Sequence, residues 1–185
     1  MLRVITWFQQ QARPRIIVLV TLAYLLLALG VMRPGAQKLE KLSGKPVDIL
    51  DLQFGFSVEK AQSILSGYSA AALQEAATFL VWADTLYPLI YGILLSLLLA
   101  VFFRNGRMQF VVMVPVLAVL VDFAENYWLY KLLNSYPNEE VSWIEYASSC
   151  NAVKWSLLGL SGLFLLFGCF RRLLQLLPSV RKLAP

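Results

Sequence analysis

Histidine is absent from the chain, and only two cysteines occur, Cys150 and Cys169. Without an imidazole, a Ser-His-Asp triad is excluded and a zinc centre loses its usual nitrogen ligand. Both cysteines lie in the last apolar segment, about 28 Å apart at the α-helical rise. A disulfide tolerates only ~7 Å between Cα atoms, so they cannot pair within one helix. Cys150 reads as a small packing residue. Charge is scarce too: Asp, Glu, Lys and Arg make up 15% of the chain and hydrophobic residues 59%. A soluble domain carries about 25% charged residues. Long stretches have none, as expected where part of the solvent is lipid.

Four apolar segments are present, at about 15–32, 78–103, 109–132 and 146–170. Each approaches or exceeds the ~20 residues that cross a bilayer core. The expected fold is therefore all-α, a four-helix transmembrane bundle forming one domain over residues 1–185. The first segment is longer than a signal-peptide core and no A-x-A site follows it, so it is expected to be retained.

Acidic residues are missing from three places. The N-terminal flank has Arg3, Arg13 and Arg15; the second connector has Arg104 and Arg107; the C-terminal tail has Arg171, Arg172, Arg181 and Lys182. The third connector instead carries Glu139, Glu140 and Glu145, with Lys131 beside it, and the connector 33–77 mixes five basic with five acidic residues. The positive-inside rule then predicts both termini on the cytoplasmic side; a bacterial inner (plasma) membrane is the expected location, and an organellar inner membrane would satisfy the same bias. Trp82, Trp128, Trp143 and Tyr146 fall at the opposite interface. The net charge of +5 sits at span ends rather than along a stripe, so nucleic acid is not an expected partner. The bilayer is, with a homo-oligomer or a membrane partner protein as further options. The sequence specifies no cofactor and no metal.

Within connector 33–77, PGAQKLEKLSGKP reads as a turn-rich tether. VDILDLQFGFS reads as an interfacial or re-entrant segment. Residues 57–77 read as an amphipathic surface helix, with Ser57 as N-cap, Glu59 in the first turn and a break near Gly67.

Ionisable residues inside spans cost roughly 2.5–3.5 kcal/mol each at the midplane and mark candidate sites. Here they are Asp84, Asp122, Glu125 and Lys154, which the expected topology brings to one outer level on three helices. Asp84, Tyr87, Pro88 and Tyr91 share a helical face; Asp122, Glu125 and Asn126 share a second; Asn151, Lys154 and Trp155 share a third. Pro88 has no N–H for the Asp84 carbonyl, which is left free for another donor or an ion. Asp84, Pro88, Gly92, Ser96 and Ala100 recur every fourth residue, a small-residue ridge suited to close packing. Asp51 reads first as a solvated loop aspartate and second as a group at the mouth of the cluster.

The motifs LDLQFGFS (50–57), DTLYPLIY (84–91), DFAEN (122–126) and KW (154–155) resemble a group of uncharacterised bacterial four-span integral membrane proteins. The resemblance implies that these polar positions act as a unit and supplies no chemistry. Lipoprotein signal peptidase shares the topology, but its N-x-G-A and G-N-x-x-D-R motifs are missing, so no catalytic role passes to Asp84 or Asp122.

Three functions fit these residues. An outward-facing carboxylate, Lys and Tyr cluster (Asp84, Tyr87, Tyr91, Asp122, Glu125, Asn126 and Lys154, with Asp51 and Asn151 at its edge) would bind a cation, a proton or a polar lipid headgroup. A scaffold or accessory subunit would use the surface helix, and an aspartyl-type intramembrane hydrolase would use paired acids. The excess of three acids over one base favours a binding or reactive pocket. An equally economical account makes the charges a structural salt bridge.

Overall fold

The computed structural model describes residues 1–104 and 106–176, so Arg181 and Lys182 of the orientation argument lie outside the described residues. Among these residues the fold is all-helical. Helix α1 covers Leu2–Gln11, and α2, Pro14–Leu27, runs through a π segment, Ala28–Met32, into α3, Arg33–Ser43. Then come α4, Val58–Leu65, and α5, Ala70–Phe102. A 3₁₀ stretch, Arg107–Met113, leads into α6, Val114–Ser135, and α7 covers Val141–Leu176.

Four helical stretches are long and apolar enough to cross a membrane: Pro14–Ser43, Ala70–Phe102, Met108–Ser135 and Val141–Gln175. The chain is a multi-pass integral membrane protein. α6 packs between α5 and α7, while the first span touches mainly α5 and buries none of α2. Exposed Leu19, Leu22, Leu26 and Leu29 on that span need a lipid-like surrounding.

Two expectations are corrected. Residues 33–43 are helix, not a tether, and continue the first span. Pro34 cannot supply the N–H that a regular α-helix would aim at Gly30, and the turn before it widens, Arg33 N–H bonding Ala28 O. Gly35 serves close packing rather than a turn, since a β-carbon there would lie 2.4 Å from Phe79 Cε2. The helix ends at Gly44, whose φ of 68° is left-handed. The second correction concerns 57–77. Ser57 does cap α4 by accepting from Lys60 N–H, and Glu59 sits in its first turn, but the helix stops at Leu65. Ser69 caps α5 by accepting from Ala72 N–H, so residues 70–77 already belong to the second span. Ala61, Ile64 and Leu65 are buried beneath α4, so its apolar side is covered.

Helix α1 had no counterpart among the expected elements. It buries Ile5 and Phe8 against the Arg-rich end of the bundle, and Gln9 Nε2 donates to Arg104 O at 2.8 Å. The ridge from Asp84 to Ala100 is buried throughout. Its tightest point is Gly92, where a β-carbon would lie 2.3 Å from Val119 Cγ2 of α6.

Candidate functional site

At the end of the bundle away from the Arg-rich flanks, α6 turns Asp122, Glu125 and Asn126 inward, and α7 turns Ser148, Asn151, Lys154 and Trp155 to meet them. Glu125 and Asn151 are fully buried and Lys154 is 2% exposed. The Lys154 ammonium lies 2.7 Å from Glu125 Oε2 and also pairs with Asp51 Oδ1. Asn151 Nδ2 donates to Glu125 Oε1 at 2.8 Å and to Asp51 O at 3.0 Å. Tyr91 of α5 donates its hydroxyl to Asp122 Oδ2 at 2.6 Å. Carboxylate oxygens of Asp51, Asp122 and Glu125 all fall within 4.8 Å of one another.

Asp51 is therefore not a solvated loop residue. A short 3₁₀ turn, Leu50–Leu52, dips between the helices. Its carbonyl oxygen accepts from Trp155 Nε1 at 3.1 Å as well as from Asn151. Further along, Gly55 N–H donates to Asn151 Oδ1 at 2.7 Å and Phe56 N–H to Ser148 Oγ at 2.8 Å. Irregular backbone at this depth must find partners in the protein, because lipid offers none. Helix α7 provides them, one side chain per turn. Gly55 makes the bend possible at φ 67°. Ser148 was missed from sequence, although it stands three residues before Asn151 and seven before Trp155, on one helical face.

Two other residues have different partners from those expected. Tyr87 donates its hydroxyl to Tyr24 of α2 at 3.0 Å rather than to an acid, their rings stacked at 5.5 Å. Asn126 Nδ2 donates to Asp84 O at 2.8 Å, taking the acceptor that Pro88 leaves free. The amide substitutes for the missing proline N–H and ties α6 to α5, so that oxygen is not available to an ion. Asn126 Oδ1 is buried without a hydrogen-bond partner among the described residues.

Asp84 is 8% exposed, yet none of the described residues donates a hydrogen bond to its carboxyl. It lies on the wall of a cavity of about 290 Å³ bounded by α3, residues 49–52, α5 and α6. Asp51 lines the same cavity. So does Tyr68, whose hydroxyl donates to Asp48 O at 2.9 Å. Burial, with the Asp48 carboxylate adding to it, pushes the Tyr68 phenol well above the ordinary range.

The arrangement has clear chemical consequences. Two carboxyls, Asp51 and Glu125, share one ammonium, Asp122 is held by the Tyr91 hydroxyl, and a fourth acid, Asp84, makes no salt bridge among the described residues. The three oxygens suit a hard cation, whose ligands at 2.3–2.6 Å lie up to roughly 5 Å apart across the ion. Lys154 already neutralises part of this set, so a cation would have to displace its ammonium to enter. An aspartyl-type hydrolase is less well served. Lys154 engages Glu125 and Asp51, and Tyr91 engages Asp122, leaving no unoccupied like-charge pair to share a proton over water. No family model, curated protein or solved structure matches the chain.

Proposed function

We propose that the chain is a binding protein of a bacterial inner membrane, with both termini in the cytoplasm, whose exoplasmic carboxylate cluster holds a positively charged ligand. Orientation rests on the basic flanks and acid-rich connectors, and the bacterial assignment on the resemblance of residues 50–156. The observation that carries the reading is the convergence of Asp51, Asp122 and Glu125 oxygens within 4.8 Å around one lysine, with Asp84 adjacent and unpaired. A cluster serving only to fix helix register would balance its charges, because unpaired buried carboxyls cost stability. Here acids exceed bases, and a cation, a proton or a cationic headgroup redresses the balance.

Purified protein in maltoside micelles, titrated with sodium, potassium, magnesium and calcium chlorides and across pH, tests this. A cation- or pH-dependent rise in unfolding temperature is expected. Asp122→Asn, which leaves the Lys154 pairs intact, should weaken it. An identical response in the variant overturns the reading.

A further inference from the structure

We infer that the cavity beside Asp84 is the place where this ligand is selected, and that it takes a lipophilic amine: a hydrocarbon body along the cavity with one ammonium group against Asp84. The inference rests on the binding role just proposed and adds the chemical class of the ligand. It starts from α5, where Glu75, Phe79, Leu80 and Asp84 succeed one another along the helix and all line the cavity. Nine residues of helix span about 13 Å, which sets its length. The opposite walls are apolar, Leu39 of α3 with Leu129 and Leu133 of α6. At 290 Å³ it lies at the low end of small-molecule pockets, roughly 300–1,000 Å³.

Two carboxyls, Asp51 and Asp84, stand together on the wall of this mostly apolar cavity, which Arg33 and Glu75 also line. Glu75 is already paired with Lys38 at 2.7 Å, at the end nearer the connector. Asp84 is more than nine-tenths buried and has no donor among the described residues, and Asp51 stands with it. A carboxyl withdrawn from water without a partner is unfavourable, and an ammonium restores what it lost. A bare metal ion fits this cavity poorly, since hard cations want six to eight oxygens and its walls are mostly hydrocarbon. An anionic amphiphile would meet these two carboxyls. Hydrocarbon walls with an unpaired acid among them match a hydrocarbon with an amine at one end.

Two sources supply that chemistry, an amine-bearing membrane lipid or a free hydrophobic amine, and the test separates them. Full-length protein in maltoside micelles is titrated with dodecylamine, with dodecanol and dodecyl sulfate as probes of equal chain length, reading the unfolding temperature. Dodecylamine should stabilise the protein where the other two do not. Asp84→Asn should weaken its apparent affinity about tenfold or more. Ala76→Phe, which fills the cavity wall without touching a charge, should abolish the response while leaving the metal-ion and pH response in place. In vesicles of phosphatidylethanolamine and phosphatidylglycerol, phosphatidylethanolamine carried through purification by the native chain but not by Asp84→Asn identifies a lipid source. A dodecylamine response without retained lipid identifies a free amine. Equal stabilisation by dodecanol, or dodecylamine binding indifferent to both Asp84→Asn and Ala76→Phe, overturns the inference. If the salt and pH response still depends on Asp122, the binding role survives that result. If that dependence is absent as well, both fall.

Discussion

Where α5 and α6 meet at Gly92, they are so close that a β-carbon would collide with Val119; two turns away, at Asp84, the same helices are joined by the Asn126 side chain reaching to a backbone carbonyl. The half of the bundle toward the Arg-rich end is built by steric fit: Leu97, Leu99, Ala100, Phe103, Val111 and Val112 pack tightly, and Gly168 leaves room for the Phe102 ring. The other half has an apolar core too, with Leu65, Leu80, Leu129, Leu132 and Ile144, but it also admits a loop and a set of charges, and hydrogen bonds and ion pairs join its helices as well. Helices that pack by shape accept no ligand between them. Helices held by polar groups can exchange a protein partner for a foreign one, and this is the half in which the binding role is placed.

Three variants separate the two kinds of packing. The largest effect is expected for Lys154→Met, which leaves Asp51 and Glu125 without their ammonium. Removing one partner of a buried ion pair costs about 3–5 kcal/mol, so the variant should unfold far below the native chain in a thermal scan in micelles. Adding Asp51→Asn and Glu125→Gln should recover much of the loss, whereas recovery without them would mean that charge is not what binds this half together. Next is Gly92→Leu. Overpacking costs roughly 1–3 kcal/mol, and Val119→Ala should relieve it while no change at the acids does. If Asp122→Asn rescued Gly92→Leu, the two halves would not be independent.

The smallest effect is a coupling. Asn126→Ala should cost about 1–3 kcal/mol by leaving the Asp84 carbonyl unpaired. In a Pro88→Ala background the residue-88 N–H can return to that carbonyl, so the same substitution should cost less. A double-mutant cycle on unfolding free energy reads the difference. Additivity would show that the amide does not stand in for the proline N–H.

Much of this could be read from residues alone, and the reason differs by feature. The four spans follow from local apolar length, and the buried face of α5 from a four-residue repeat of small side chains that any α-helix would align. The α4 cap at Ser57 and the break near Gly67 are local as well. Inward placement of Asp122, Glu125 and Lys154 followed from the cost of turning them toward lipid. Tyr87 went elsewhere because Tyr24, on a span with no obvious register, competed for it.

Sequence by itself settled that the chain crosses a membrane on four helices, because the hydrophobic requirement is summed over each segment regardless of what lies beside it. Tertiary structure alone decided that Asp51 is half-buried between helices rather than solvated. Nothing in LDLQFGFS distinguishes a solvated turn from one inserted between helices, and the difference lies in donors and acceptors that Ser148, Asn151, Lys154 and Trp155 supply about a hundred residues later. The same holds for residues 33–43, where Pro34 and Gly35 suggest a turn until a widened helical turn and the Phe79 ring accommodate them as helix. Local patterns determine what each segment can become; partners distant in the chain determine which polar groups leave water, because only they can replace its hydrogen bonds.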